Sequence, residues 1–283
     1  MGRRKSALLG VLVFWAICNL GCAACEEHQV RGSGPVVART VDVSGVRAVA
    51  LKTFGTLHIE MGDREELRIE TQRNLQEYFE VEVSRGTLSI GSRRSVSIHP
   101  TEPVRFYLTV KTLETISLSG SGDVRAPDLE AEDFSLKVTG SGDVSIGGLK
   151  ADGVYVRISG SGDTGISTLE TGECEVSVSG SGDVTVDRLD AARVGVTITG
   201  SGDVEVSGGE TEVQRITISG SGDYEARRLE SAEAEVVVNG SGSADLHVRD
   251  VLAVKIRGSG DVRYRGRPSV RSTVTGSGDV IGP

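Results

Sequence analysis

Between Ile116 and Val274 the chain alternates apolar and polar residues with period two, in short runs that return at fixed intervals. Ile116, Leu136, Val156, Val176, Val196, Ile216, Val236 and Val254 form one apolar series. Two residues further on, Leu118, Val138, Ile158, Val178, Ile198, Ile218, Val238, Ile256 and Val274 form a second. The residues between them are polar in most copies, as in Ser117, Lys137, Arg157, Ser177, Thr197 and Thr217. Strict alternation marks strands with one buried face. Ser272 is the only departure from the first series.

Each run ends in the same tetrad. It starts at Gly120, Gly140, Gly160, Gly180, Gly200, Gly220, Gly240, Gly258 and Gly276, and reads GSGD in eight copies and GSGS in the seventh. Six intervals of 20 residues precede two of 18. After the tetrad the alternation resumes (Val144 and Ile146, Val184 and Val186, Val204 and Val206), and Leu129, Leu149, Leu169, Leu189 and Leu229 recur shortly afterwards. A unit this short cannot close a core alone, but stacked copies can, each strand pairing with its equivalent one coil away. The pattern predicts an all-β, right-handed parallel β-helix, a β-solenoid with coils of 18–20 residues. Nine coils would give a rod about 43 Å long.

By parity, both tetrad glycines (Gly120 and Gly122, Gly140 and Gly142, Gly160 and Gly162, Gly180 and Gly182, Gly200 and Gly202, Gly220 and Gly222, Gly240 and Gly242, Gly258 and Gly260, Gly276 and Gly278) are expected to point inward. There a Cβ would meet the opposite wall of a tight corner. Asp123, Asp143, Asp163, Asp183, Asp203, Asp223, Asp261 and Asp279 then point outward and stack into a column. Neighbours about 4.8 Å apart repel by about 0.9 kcal/mol in water. The simplest offset is a hydrogen bond from the turn's own N–H groups or from Ser121 and its equivalents. The other is a cation such as calcium, which takes oxygen ligands. Ser243 stands where the column would have its seventh consecutive carboxylate, so one coil does without the charge.

The front of the chain differs. From Val41 to Thr115 alternation persists in LHIEM (Leu57–Met61), ELRIE, FEVEV (Phe79–Val83), TLSI and VRFYLTV (Val104–Val110), but the tetrad is missing. These strands are expected to form irregular first coils, a β cap over the N-terminal edge, since solenoid ends need cover. At the far end Pro268 and the arginines of the 263–271 stretch discourage further pairing. Residues 26–40 lack periodicity and read as a linker.

Residues 1–25 read as a signal peptide, with Arg3, Arg4 and Lys5 before the apolar run Ala7–Ile17. That run is too short to span a bilayer. Small residues lead to Cys22 and Cys25, an arrangement that resembles a bacterial lipoprotein signal; lipidation at Cys25 or Cys22 and plain secretion are both open. The expected location is the bacterial cell envelope, with membrane contact only through an N-terminal lipid. The remaining Cys174 lies in an apolar column and reads as a small buried hydrophobe.

Charge and motifs narrow the function. The 31 basic and 40 acidic residues give a net charge of -9, and no basic stripe with interleaved aromatics exists, which argues against nucleic acid. His28, His58, His99 and His247 are scattered without metal-ligand spacing. No nucleophile elbow, zinc-protease or phosphate-loop motif occurs. The repeated Asp residues are equivalent, whereas acid–base catalysis needs carboxylates in distinct environments. The chain therefore reads as a non-enzyme without a cofactor, calcium being the one cation considered.

Three stretches, VSGVRAVALKTFGTLHIEMGD (Val43–Asp63), VRFYLTVKTLETISLSGSGDV (Val104–Val124) and VKIRGSGDVRYRGRPSV (Val254–Val270), resemble the head GIN domain family of auto-transporter adhesins. The resemblance covers residues 41–282, with 41–115 as the irregular front coils and 116–282 as the GSGD coils. It implies an exported parallel β-helix with no established catalytic residues, whose partner would be an envelope or extracellular protein or glycan. A carbohydrate-active β-helix and a calcium-stabilised spacer are the alternatives.

Overall fold

A computed structural model describes residues 28–94 and 96–283. Residues 1–27, which include the stretch expected to be a signal peptide and Cys22 and Cys25, lie outside them. The molecule is a nearly all-β solenoid of about eight turns. Nine tetrads mark nine corners, and nine corners enclose eight full turns.

The coils stack in register. Val144–Ile146, Gly148–Ala151 and Gly153–Ile158 pair in parallel with Thr164–Ile166, Thr168–Thr171 and Glu173–Val178, so each coil has three strand segments and a tetrad corner. Stacking places the predicted columns inside: Ile116, Leu136, Val156, Val176 and their equivalents through Val254 are at most 5% exposed. A third inward column runs Phe134, Val154, Cys174, Val194, Gln214, Ala234, Leu252. Cys174 is buried as expected, and burial, with a smaller contribution from Glu175, pushes its thiol up to about 12, so it is not a nucleophile.

The front is a cap built in two steps. Strands β1 (His28–Arg31), β2 (Val36–Asp42), β3 (Ala48–Leu51), β4 (Thr56–Met61), β5 (Glu66–Gln72), β6 (Phe79–Ser84), β7 (Thr87–Ser92), β8 (Val96–His99) and β9 (Arg105–Val110) precede the coils. β3 and β4 pair in parallel with Thr115–Leu118 and Asp123–Ala126, the first strands of the GSGD region. They continue two of the three strand segments for one more layer, with Thr53-Phe54-Gly55-Thr56 in the tetrad's place. β7 and β9 add one more parallel layer. Beyond it the direction reverses: β6 pairs antiparallel with β7, β5 with β9, and β2 with β5. The reversal ends the stack, and a 3-10 helix, Arg73–Tyr78, buries Leu75 beneath it. Phe79 packs edge-on against Phe54 and Phe106 at ring distances of 5.7 and 5.4 Å, filling a wider interior than Val and Ile could.

The linker expected at 26–40 is corrected by these pairings. Residues 28–31 pair in parallel with Val96–His99, and 36–42 form the outer strand of the cap. The sequence hid this because β2 is an edge strand: Val37, Arg39 and Val41 are only half-buried, so the strand is held by its backbone rather than by a buried apolar face. At the other end Ser269–Val274 is exposed at every position, and among the described residues no strand covers its outer edge.

Candidate functional site

The corner is the repeated feature. Its glycines do not have the left-handed backbone of a tight turn, since among the described glycines positive φ angles occur only at Gly34, Gly45, Gly55, Gly86, Gly209 and Gly266. The second glycine of each tetrad is buried and the first mostly half-buried, so the expectation that both point across the interior is only half met. Both are required by what lies one coil back. A Cβ at Gly140 would collide with the carbonyl oxygen of Gly120, one at Gly142 with that of Gly122, and the same holds at every later copy. The stacked chain, rather than the opposite wall, excludes a side chain.

The aspartates are committed along the same axis. The backbone N–H of Asp163 donates to Oδ1 of Asp143 at 2.9 Å, Asp183 to Asp163 at 2.9 Å, Asp203 to Asp183 at 2.7 Å and Asp223 to Asp203 at 2.7 Å. The donor is therefore the next coil, not the turn's own N–H or a tetrad serine. Ser243 fits the same device: its N–H donates to Asp223 at 2.6 Å and its Oγ accepts from the N–H of Asp261 at 3.2 Å. Asp279 closes the series on Asp261 at 3.0 Å. What the position needs is an oxygen within reach of the next backbone N–H. One carboxylate oxygen of every ladder Asp but the last, Asp279, is used this way, and the N–H dipole of the next coil offsets part of its charge. Among the described residues no group of three or more His, Cys, Asp or Glu side chains converges as a metal centre would require.

The outer face supplies what the corner lacks, side chains that do not repeat. On the segment centred on residues 153–158 two outward columns run side by side. One reads Ser135, Tyr155, Glu175, Gly195, Arg215, and the other Lys137, Arg157, Ser177, Thr197. Between them lies a shallow cleft of about 380 Å³, lined by Tyr155, Glu175, Lys137, Arg157 and the hydroxyl side chains of Ser135, Ser177 and Thr197. Two outward glycines shape it. A Cβ at Gly153 would come within 3.2 Å of the Tyr155 ring and hydroxyl, so the ring leans over Gly153, 45% exposed. A Cβ at Gly195 would collide with the Glu175 carboxylate, which therefore leans over the next coil. Partial burial and the neighbouring Glu173 raise the Glu175 pKa, while Arg215 opposes the shift. The columns were legible from the repeat, but the cleft was not, because its side chains are unremarkable until the coils bring them together.

Two further clusters break the repeat. On the cap Arg68 lies over the Tyr107 ring at 4.4 Å, and Tyr107 stacks on His58 at 5.1 Å with 15° between the planes. Desolvation, then Arg125 and Arg105, lower the His58 pKa, Glu60 acting the other way. In the core, the Tyr224 hydroxyl donates to Gln214 Oε1 at 2.7 Å, Gln214 Nε2 to Ser231 Oγ at 2.9 Å, and Ser231 Oγ to the His247 carbonyl at 3.0 Å. This chain lies where coils of 20 residues give way to coils of 18 and the strand register shifts. It is buried and internally satisfied, which identifies it as structural.

The fold and its outer face define a class: a capped parallel β-solenoid with a repeated, fastened corner and a non-repeating exterior. The family model described as "Putative auto-transporter adhesin, head GIN domain" matches residues 47–207 and 164–268, and the chain belongs to this family. Similar solved structures include an adhesin, described as putative, from Parabacteroides merdae ATCC 43184, with 21% identity, a TM-score of 0.66, and coverage of 90% of this chain and 99% of that one. Another from Parabacteroides distasonis ATCC 8503 has 23% identity, a TM-score of 0.67, and coverage of 90% and 100%. A "Putative lipid binding protein" of the same strain has 21% identity, a TM-score of 0.65, and coverage of 90% and 99%. At these identities the likeness is one of fold. No curated protein matches the sequence. Among the described residues no helix is long and apolar enough to cross a membrane.

Proposed function

We propose that this chain is a non-enzymatic protein of the bacterial cell envelope, exported, anchored by a lipid at Cys25 or Cys22, and binding an extracellular protein or glycan through its outer face. The observation that carries this reading is the contrast between inside and outside. The inward column through Val156 is Val, Ile or Leu in every coil from Ile116 to Val254, while the adjacent outward column runs Ser, Lys, Arg, Ser, Thr, Thr, Val, Lys. Stacking constrains the first and leaves the second free to carry recognition. The family description as an adhesin supports the same reading. The cleft offers one carboxylate, Glu175, whereas glycoside hydrolysis uses a pair, so cleavage is not favoured.

The test is adhesion of the full chain to a panel of immobilised cell-surface glycans and matrix proteins. Saturable binding is expected, lost when Lys137, Tyr155 and Arg157 are all replaced by Ser, with melting temperature unchanged. Absence of saturable binding, or release of cleaved sugar, contradicts it. The anchor is read by mass spectrometry of the envelope-bound protein, which should begin at an acylated Cys25 or Cys22.

A further inference from the structure

The cleft holds a specific imbalance of charge. Lys137 and Arg157 are direct partners in adjacent coils, so two cations are stacked about one strand spacing apart, roughly 4.8 Å at the backbone. Neither makes an ion pair or a side-chain hydrogen bond among the described residues. A second surface depression differs: there Lys150 is paired with Glu170 at 3.9 Å. Like charges in register destabilise a sheet unless something sits between them. In this cleft the only carboxylate leans the other way, over Gly195.

The remaining lining says what kind of molecule would bring an anion to these two cations. Tyr155 leans over Gly153 with nearly half its surface free, and the negative face of an aromatic ring attracts the weakly positive C–H groups on the face of a saturated sugar ring. Ser177 and Thr197 offer hydroxyls beside Arg157, and Glu175 offers acceptors. A cation pair for a carboxylate, an aromatic platform and a polar rim occur together in this cleft. The cleft volume of about 380 Å³ suits one or two sugar rings.

Resting on the reading of the outer face as a binding surface, we infer that this cleft binds a carboxylated sugar: its carboxylate on Arg157 and Lys137, its ring against Tyr155, its hydroxyls toward Glu175 and Ser177. Arg157 can take the carboxylate through two parallel N–H donors, which fixes the orientation of the ring.

The experiment is calorimetric titration of the full chain with trisaccharides ending in glucuronate, galacturonate or N-acetylneuraminate, each beside its neutral counterpart, and with triglutamate as an anion that is not a sugar. At least one acidic sugar should bind about tenfold or more tightly than its neutral counterpart and than triglutamate. Y155A and R157Q should each weaken it by about tenfold, or about 1.4 kcal/mol, without lowering the melting temperature. Both side chains lie on the surface, so the variants should fold. Equal binding of triglutamate, unaffected by Y155A, reduces the cleft to a simple anion patch and overturns the inference. Failure of every acidic sugar, with adhesion to the broader panel retained, overturns the inference and leaves the proposed function standing. Failure of both removes both.

Discussion

The backbone N–H of Asp223 donates to Oδ1 of Asp203 across 2.7 Å, one full coil away. The two residues are 20 apart in sequence and occupy the same place in successive turns. Their bond substitutes a side-chain oxygen for a backbone carbonyl at a corner where the strand ladder is interrupted. The bond lengthens to 3.2 Å at the first tetrad, Asp143 on Asp123, and again where Ser243 replaces the carboxylate. Repeating it down the molecule gives each coil a fixed seat on the last.

The same seating makes the tetrad glycines sensitive to a single methyl group. Gly200→Ala drives a Cβ into the Gly180 carbonyl and is expected to cost about 1–3 kcal/mol, seen as a lowered urea midpoint. Gly165 has nothing within 4 Å of its Cβ position, and Gly165→Ala is expected to stabilise by about 0.4–1 kcal/mol. Equal effects at the two sites would contradict the stacking explanation.

His58 gives the cap a pH dependence. Its folded pKa lies below the ordinary 6.5 because burial and the Arg125 and Arg105 charges disfavour the imidazolium. Between those two values the unfolded chain binds more protons than the folded one. Stability is therefore complete above the unfolded pKa and is lost as pH falls through the folded pKa. His58→Gln should flatten the urea midpoint against pH across that window, and an unchanged slope would rule this residue out as the source.

Tyr224→Phe removes the donor to Gln214 Oε1 and leaves a buried acceptor unmatched, an expected cost of about 1–3 kcal/mol. Adding Gln214→Leu should recover part of that loss, because removing both partners costs less than orphaning one. A double mutant that loses the sum of the two single effects would show that the pair is not coupled.

Calcium is expected to leave the melting temperature where chelator leaves it, since every ladder carboxylate but the terminal Asp279 already has a backbone donor on one oxygen. A rise of several degrees would mean that a cation binds the folded state through the remaining oxygens.

Much of this was written in the sequence. A period of 18–20 with fixed apolar columns allows one way of stacking, and the columns, the corner and the buried Cys174 follow from it. Gln214 was legible as the one polar residue in its inward column, although its partners Tyr224 and Ser231 were not. The cap was less legible. Thr53-Phe54-Gly55-Thr56 keeps only one letter of the tetrad, yet Gly55 gives Asp123 an acceptor, its carbonyl oxygen, at 2.9 Å. β2 looked like a tether because an edge strand shows no buried side. The Tyr155 cleft depends on residues 135 to 197 meeting across four coils, and no local pattern announces such a meeting.

The fastening of one coil to the next is tested most directly by the melting temperature of Asp203→Ser beside Asp203→Ala. Serine keeps an oxygen for the Asp223 N–H, as Ser243 does for Asp261, and should retain most of the stability. Alanine leaves that N–H without its partner and should lose about 1.5–3 kcal/mol, the worth of a hydrogen bond to a charged group. If alanine melts with serine, the Asp column is not what holds the coils together.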